Sequence, residues 1–341
     1  MSGSKRLRVA LLGLDGFFFS GELLRRLQAM PDVEVVAVST LGAAADEIAA
    51  NHGPSAVSMA AVGLRVYGDL SELLAEQVVD AACLSTRPSR IKHVLPELAA
   101  RGIPCYVAKP AAAAMGGLAA LASAVNAGLP LVSGLTGRLE PALAAARARL
   151  AGGEAGRLAS LRVMHQHGRL SGWPHGSWYF AAAETAPEIF LGWYCLDLIA
   201  WLGQSRIVRI WGRGNRLADP ESPHADTIKG VCELENGVIA SFDVYFGVNW
   251  PYPSFELEAL GAEGAVRVTQ TQSDGQLYGA AGTRAFGRTN ADLLSAELDN
   301  WVSAQLGRGA PFISGAEVVQ NLKACLALRA ALASGEGVTV G

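Results

Sequence analysis

The sequence is poor in charge. Only 17% of its 341 residues are Asp, Glu, Lys or Arg, half are hydrophobic, and the formal net charge is −3. This excludes a disordered chain, which needs much charge and little hydrophobicity to stay solvated. It also excludes a basic field for a phosphate backbone, and no Lys/Arg cluster is longer than two or three residues, so nucleic acid is not an expected partner. Cysteine is sparse as well. Cys83, Cys105, Cys195, Cys232 and Cys325 are far apart, odd in number and never spaced C-x-x-C, which argues against a metal or redox pair and fits reduced thiols in a cytoplasm. Long apolar runs are missing too. Lys5, Arg6 and Arg8 ahead of Val9 to Leu14 resemble the start of a secretory signal, but Asp15 interrupts the run and no small-residue cleavage site follows. No segment approaches the roughly 18 apolar residues of a membrane span, so no membrane partner is expected. Internal repeats and low-complexity linkers are also absent.

What is present is alternation. A chain of 341 residues exceeds what one core usually organises, so two domains are expected. Arg8 to Leu14 is a β-rich apolar run. Gly21 to Met30 has helical spacing, with Leu23, Leu24 and Leu27 on one side, and Val33 to Val38 is a second apolar run, making one βαβ unit. The pattern continues with a helix around Ala43 to His52, a short strand at Arg65 to Tyr67, a helix Leu70 to Gln77 and a strand Val79 to Ser85. Helix Ile91 to Ala100 then leads to strand Pro104 to Val107, and helix Met115 to Ala127 to strand Leu129 to Ser133. Apolar strands between amphipathic helices predict an α/β fold with a doubly wound parallel sheet, a nucleotide-binding type of domain over residues 1–133. Residues 134–341 read differently. Helix Pro141 to Leu150 is followed by period-2 runs at Leu158 to His167, Ile207 to Arg213, Thr227 to Glu233, Val238 to Tyr245, Ser254 to Leu260 and Ala265 to Thr269, with a hairpin signal at Glu235-Asn236-Gly237. This predicts a mostly antiparallel sheet with helices on one side, Leu191 to Leu202 among them, and a closing helix Ala316 to Ala333.

The most informative pair is Lys109-Pro110, because it follows a strand, helix, strand run from Asp80-Ala81-Ala82-Cys83-Leu84 to Val107-Ala108. A lysine at the C-terminal tip of a parallel strand lies at the sheet edge where doubly wound folds bind ligands. Val-Ala-Lys-Pro at 107–110, Gly137-Arg138-Leu139-Glu140-Pro141-Ala142, Leu196-Asp197-Leu198-Ile199-Ala200-Trp201-Leu202-Gly203, Glu235-Asn236-Gly237 and Gly261-Ala262-Glu263-Gly264 resemble, in order and spacing, the glucose-fructose oxidoreductase / inositol dehydrogenase (Gfo/Idh/MocA) family. The resemblance covers nearly the whole chain. It implies a Rossmann-like domain followed by an α/β domain whose large open sheet often builds oligomers, here a homodimer or homotetramer. It also implies NAD or NADP as cofactor and an oxidoreductase acting on the CH-OH or carbonyl group of a sugar, cyclitol or similar small polar substrate.

The chain departs from the family at several points. In place of G-x-G-x-x-G it has Gly13-Leu14-Asp15-Gly16-Phe17-Phe18. Gly13 keeps the tight turn, Asp15 is expected to face the pyrophosphate, and Phe18 replaces the glycine of close helix-to-strand packing. The expected cofactor contacts are therefore Gly13, Asp15, Gly16 and Phe17, then Ser39 and Thr40 after the second strand, Ser85, Thr86 and Arg87 after the fourth, and Lys109. The second strand ends without an acid for the ribose, which tilts toward NADP but leaves the choice open. Where the family often has aspartate and histidine four residues apart, the chain has Phe190 and Tyr194.

The catalytic set read from this frame is Lys109, Tyr194 and Asp197. Lysine polarises the substrate oxygen and lowers the phenol's pKa, tyrosine exchanges the proton, and Asp197, one helical turn on, orients tyrosine or substrate. Tyr194 among Trp193, Leu196 and Trp201 also fits a half-buried core tyrosine, and Asp197 a structural helix residue. His165 and His167 share a strand face, with His175 beyond. They are read as substrate or surface groups and not as a metal site, since no third convergent ligand is secured. Trp173 and His175 belong to an aromatic loop, Gly172 to Tyr179, suited to a ring-shaped ligand or to anchoring on the core. Arg87 and Arg90 suit a phosphate, a substrate carboxylate or exposed carbonyls. The runner-up function is a redox-inactive or redox-neutral relative that binds a ligand or regulates.

Overall fold

A computed structural model describes residues 6–17, 19–134, 136–168, 178, 181, 184–220, 222–248, 254–269, 275–279, 282–286 and 292–341. The chain divides into two compact units: residues 1–135, 173–185 and 294–319 form the first, and 136–172, 186–293 and 320–341 the second.

The first unit is built from β1 (Leu7–Leu12), α1 (Phe19–Ala29), β2 (Val33–Ser39), α2 (Ala45–Ala50), α3 (Ala56–Ala61), β3 (Val66–Tyr67), α4 (Leu70–Glu76), β4 (Ala81–Leu84), α5 (Pro88–Arg101), β5 (Cys105–Val107), α6 (Met115–Asn126) and β6 (Leu131–Ser133). Among the described residues its sheet has the order β3-β2-β1-β4-β5-β6, and every pairing is parallel. This is the doubly wound arrangement, with its switch point between β1 and β4. The cause is legible in burial: β4 and β5 are buried at every residue, as strands covered on both faces must be. Helix α1 buries Leu23, Leu24 and Leu27. Pro88 opens α5 and Gly102, at φ +63°, closes it.

The second unit begins with α7 (Pro141–Ala151) and β7 (Leu158–Gly168), then α8 (Pro187–Phe190) and α9 (Gly192–Gly203). Strands β8 (Ile207–Asn215), β9 (Thr227–Leu234), β10 (Ile239–Val248), β11 (Ser254–Gly261), β12 (Gly264–Thr269), β13 (Gly275–Gly279) and β14 (Gly282–Phe286) follow. Next come α10 (Leu293–Gln305), nearly all of it in the first unit, α11 (Gly315–Ser334), shared between the two, and β15 (Val338–Thr339) in the second. The described strands form one sheet, β14-β13-β12-β11-β7-β10-β9-β8-β15, in which β7 and β10 run parallel and the other pairs antiparallel. The expected fold class is therefore observed: a parallel doubly wound sheet and a large, mostly antiparallel one. Alternation places Leu161, Val163 and His165 of β7 on the covered face, while Arg162 is exposed. Helix α9 is buried almost all round, which its continuous apolar sequence requires.

Six described elements escape the sequence reading: α3, α8, β13, β14, α10 and β15. Helix α3 is short and, among the described residues, buries only Met59, so it has no apolar stripe to announce it. Strand β13 is a five-residue segment bounded by glycines. Helix α10 buries a glutamate, Glu297, beside Leu298, Trp301 and Val302.

Candidate functional site

The C-terminal edge of the parallel sheet carries a concentrated group of polar side chains. At the end of β1, Gly13 adopts φ +91°, and a Cβ there would come within 2.6 Å of the Ser85 carbonyl oxygen. At Gly16 it would meet Ser85 Oγ at 2.1 Å. Both glycines are required because this turn lies directly on the turn that follows β4. The contact is reinforced by Ser20 Oγ, which accepts from the Gly16 N–H at 3.1 Å and donates toward Ser85. Phe17 is buried in the left-handed region at φ +54°, with its ring edge-on to His52.

Asp15 is fully buried between these two turns. Its carboxylate accepts from Thr86 Oγ1 at 2.6 Å, from Arg90 Nη1 at 2.5 Å and from Arg87 Nε at 3.4 Å. Its backbone carbonyl accepts from the Trp178 indole at 2.5 Å. The sequence places this carboxylate against a pyrophosphate; the structure turns it inward, where two guanidiniums neutralise it. Both arginines continue to Glu47 of α2: Arg90 at 2.8 and 3.0 Å, and Arg87 in a close ion pair.

Ser39, at the end of β2, is buried and accepts from the Leu41 N–H at 3.1 Å, leaving Thr40 partly exposed beside it. At the end of β5, Lys109 is 6% exposed and precedes a cis Pro110. Burial pulls its ammonium down to about 7, and the charge of Glu297 pulls the other way without matching it. Glu297 is itself buried, accepts from the Tyr106 hydroxyl at 3.2 Å, and sits where any side chain at Gly134 would collide with it. The Lys109 Nζ also lies 5.9 Å from the Phe19 ring centre. Glu297 is a functional candidate that sequence reasoning missed. The only available signal was one of the two acids of α10, Glu297 and Asp299, 191 positions from its tyrosine partner.

The second unit holds the other predicted residues. Tyr194 of α9 is buried, with its ring 4.8 Å from that of His165 and 5.3 Å from that of Phe255. His165 stacks on Phe255 at 4.3 Å and lies 6.2 Å from His167, confirming that the two histidines share one face. Phe190 packs edge-on against Phe246, which also touches His167. Where the family resemblance expects an acid, this chain therefore builds an aromatic wall. Asp197 is buried and forked onto Arg138, with Nη2 at 2.7 Å and Nε at 3.0 Å. Trp173 and His175 lie outside the described residues.

A dinucleotide can be tested against these groups. The tight turn at Gly13, the hydroxyls at the end of β2, two guanidiniums about one-quarter exposed and the cationic tip of β5 all suit a phosphate-bearing cofactor. The carboxylate of Asp15 does not oppose one, because its charge is already paired. The residues therefore fit the group. Among the described residues no cluster of three or more His, Cys, Asp or Glu could hold a metal ion, and no helix is long and apolar enough to cross a membrane.

Residues 143–267 match the family model described as the GFO/IDH/MocA C-terminal domain. No curated protein matches the chain in sequence. Solved structures match it over almost its full length. An oxidoreductase from Agrobacterium radiobacter in complex with NAD+, L-tartaric acid and magnesium is 20% identical, with a TM-score of 0.82 and 99% of each chain covered. GenD2 of gentamicin A biosynthesis, in complex with NAD, is 22% identical, with a TM-score of 0.79 over 99% of this chain and 97% of that one. The WlbA dehydrogenase from Bordetella pertussis, in complex with NADH and UDP-GlcNAcA, is 18% identical, with a TM-score of 0.78 over 99% and 98%. At such identities the likeness is one of fold.

Proposed function

We propose that this chain is a member of the Gfo/Idh/MocA family, whose C-terminal domain model matches residues 143–267, and that it is an NAD(P)-dependent oxidoreductase. Its substrate is a small polar molecule of the sugar or cyclitol kind, altered at a hydroxyl or carbonyl group. The observation that carries this reading is Lys109: a buried lysine at the ligand-binding edge of a doubly wound sheet, titrating near neutrality. NAD(H)-bound proteins of the same fold, one of them holding a nucleotide sugar acid, support the cofactor and the substrate class.

A bound nicotinamide supplies or accepts the hydride. As a carbonyl is reduced, the Lys109 ammonium donates a hydrogen bond to its oxygen and passes the proton across; in the oxidative direction the neutral amine takes it back. A pKa of about 7 makes both roles accessible at physiological pH. Tyr194, whose ring is held by His165 and Phe255, is the second unit's candidate for exchanging a proton with the substrate. His165 and His167 supply polar edges to the substrate, as Trp173 and His175 do in the loop that the sequence assigns to it. Asp197 is a positioning residue, anchoring α9 through Arg138 one turn beyond Tyr194. Gly13, Gly16, Phe17, Ser39, Thr40, Ser85, Thr86 and Arg87 line the cofactor side, with Asp15 buried beneath them. A cytoplasmic homodimer or homotetramer completes the proposal; exposed Val231, Ile239 and Leu260 on the nine-stranded sheet support association.

Titration of the purified protein with NADH and NADPH, followed by nicotinamide fluorescence, is expected to saturate with at least one of them. No saturable signal with either would reject the proposal. It would favour a second reading, a ligand-binding relative without turnover, for which the burial of Phe190 in the aromatic wall speaks.

A further inference from the structure

We propose that Glu47 is a built-in competitor for the cofactor: its carboxylate occupies the guanidinium donors of Arg87 and Arg90 that a phosphate of NAD(P) takes in its place. The inference rests on the dinucleotide reading above and adds the group that regulates entry to the same edge of the sheet.

Four charged side chains from three separate segments meet there. Asp15 lies in the turn after β1, Glu47 on α2, Arg87 just before α5 and Arg90 in its first turn. The two carboxylates are not equivalent. The Asp15 side chain is fully buried and also held by the Thr86 hydroxyl, whereas that of Glu47 is 20% exposed, close to the 26% and 24% of Arg87 and Arg90. Glu47 therefore faces the solvent side of the network and Asp15 its floor.

Two guanidiniums against two carboxylates leave no net charge. An arriving phosphate gains nothing from long-range attraction until one carboxylate leaves. Asp15 cannot leave without stranding its partners in a buried turn. Glu47 can, because α2 is a six-residue helix with no side-chain cap at its start and solvent lies beside its carboxylate. Once it swings out, Arg87 and Arg90 present forked donors with one unit of uncompensated positive charge above Asp15. That is the geometry guanidinium groups use for phosphate oxygens. The exchange of one anion for another balances, and no other group needs to change its protonation.

The dinucleotide phosphate involved is either the pyrophosphate, shared by both cofactors, or the 2′-phosphate of NADP alone. The test is a fluorescence titration of the wild-type protein, Glu47→Gln and Glu47→Ala with NADH and with NADPH, alongside a thermal melt of each variant to confirm folding. We expect the substitutions to tighten binding roughly tenfold. Tightening with both cofactors identifies the pyrophosphate, and with NADPH alone the 2′-phosphate. Affinities within twofold of wild type in both folded variants would overturn the role of Glu47 while leaving the cofactor reading intact. The absence of saturation in all three proteins would overturn the cofactor reading and this inference with it.

Discussion

Two buried charges end on the same edge of the six-stranded sheet and are treated in opposite ways. Asp15, after β1, has Thr86, Arg87 and Arg90 within hydrogen-bonding distance. Lys109, after β5, has lost its water to burial, and the attraction of Glu297 only partly offsets that loss, so its proton is held loosely, at about 7. A matched charge is architecture: it fixes two turns against each other and cannot change state without breaking them. An under-compensated charge is poised for chemistry, because protonation there costs little in either direction at neutral pH. The pair Arg138–Asp197 in the second unit repeats the first kind.

The contrast is broken most directly by Lys109→Met. Turnover of any cofactor-linked substrate is expected to fall about 10²- to 10⁴-fold, the range for losing a general acid or base, while the fold survives. A variant turning over at full rate would remove lysine from the mechanism. The matched kind is probed by Arg138→Met, which leaves the Asp197 carboxylate buried without its fork. Chemical denaturation is expected to show a loss of about 3–5 kcal/mol, and a loss below about 1 kcal/mol would mean that the pair is not buried as described.

A third effect is in pH. Below about 7 Lys109 is protonated, so carbonyl reduction is expected to be fast there and to fall as pH rises through that value, while alcohol oxidation rises. The stability sign is the reverse of a salt bridge. The folded lysine releases its proton near 7 and the unfolded one only near its ordinary value of about 10.4. The unfolded chain therefore binds more protons in between, and stability grows as pH climbs through that window. Lys109→Met should flatten that rise. The smallest expected change belongs to Glu297→Gln: without the attracting carboxylate, the midpoint of the reductive limb moves to lower pH. A pH profile identical to wild type would show that Glu297 does not act on Lys109.

Much of the architecture was legible because it is local. Buried parallel strands must be apolar throughout, so Ala81–Leu84 and Cys105–Val107 announce themselves, and Glu235-Asn236-Gly237 has the residues a tight turn between β9 and β10 needs. The position of Lys109 followed from strand order alone. Its electrostatics did not, because Glu297 arrives from a helix nearly two hundred positions away whose glutamate sits among buried apolar residues. Asp15 shows the same limit. That Arg87 and Arg90 share its sheet edge could be read, but that they turn inward onto it depends on the close approach at Gly13 and Gly16, which one sequence does not reveal.

The protonation of Lys109 itself is the most direct test. Lysine-selective isotope labelling, with the Lys109 signal assigned by its disappearance in Lys109→Met, allows its ε-carbon to be followed by NMR from pH 5 to 11. A midpoint near 7 is the predicted result. A midpoint above about 10, the range of an ordinary lysine, would contradict the account.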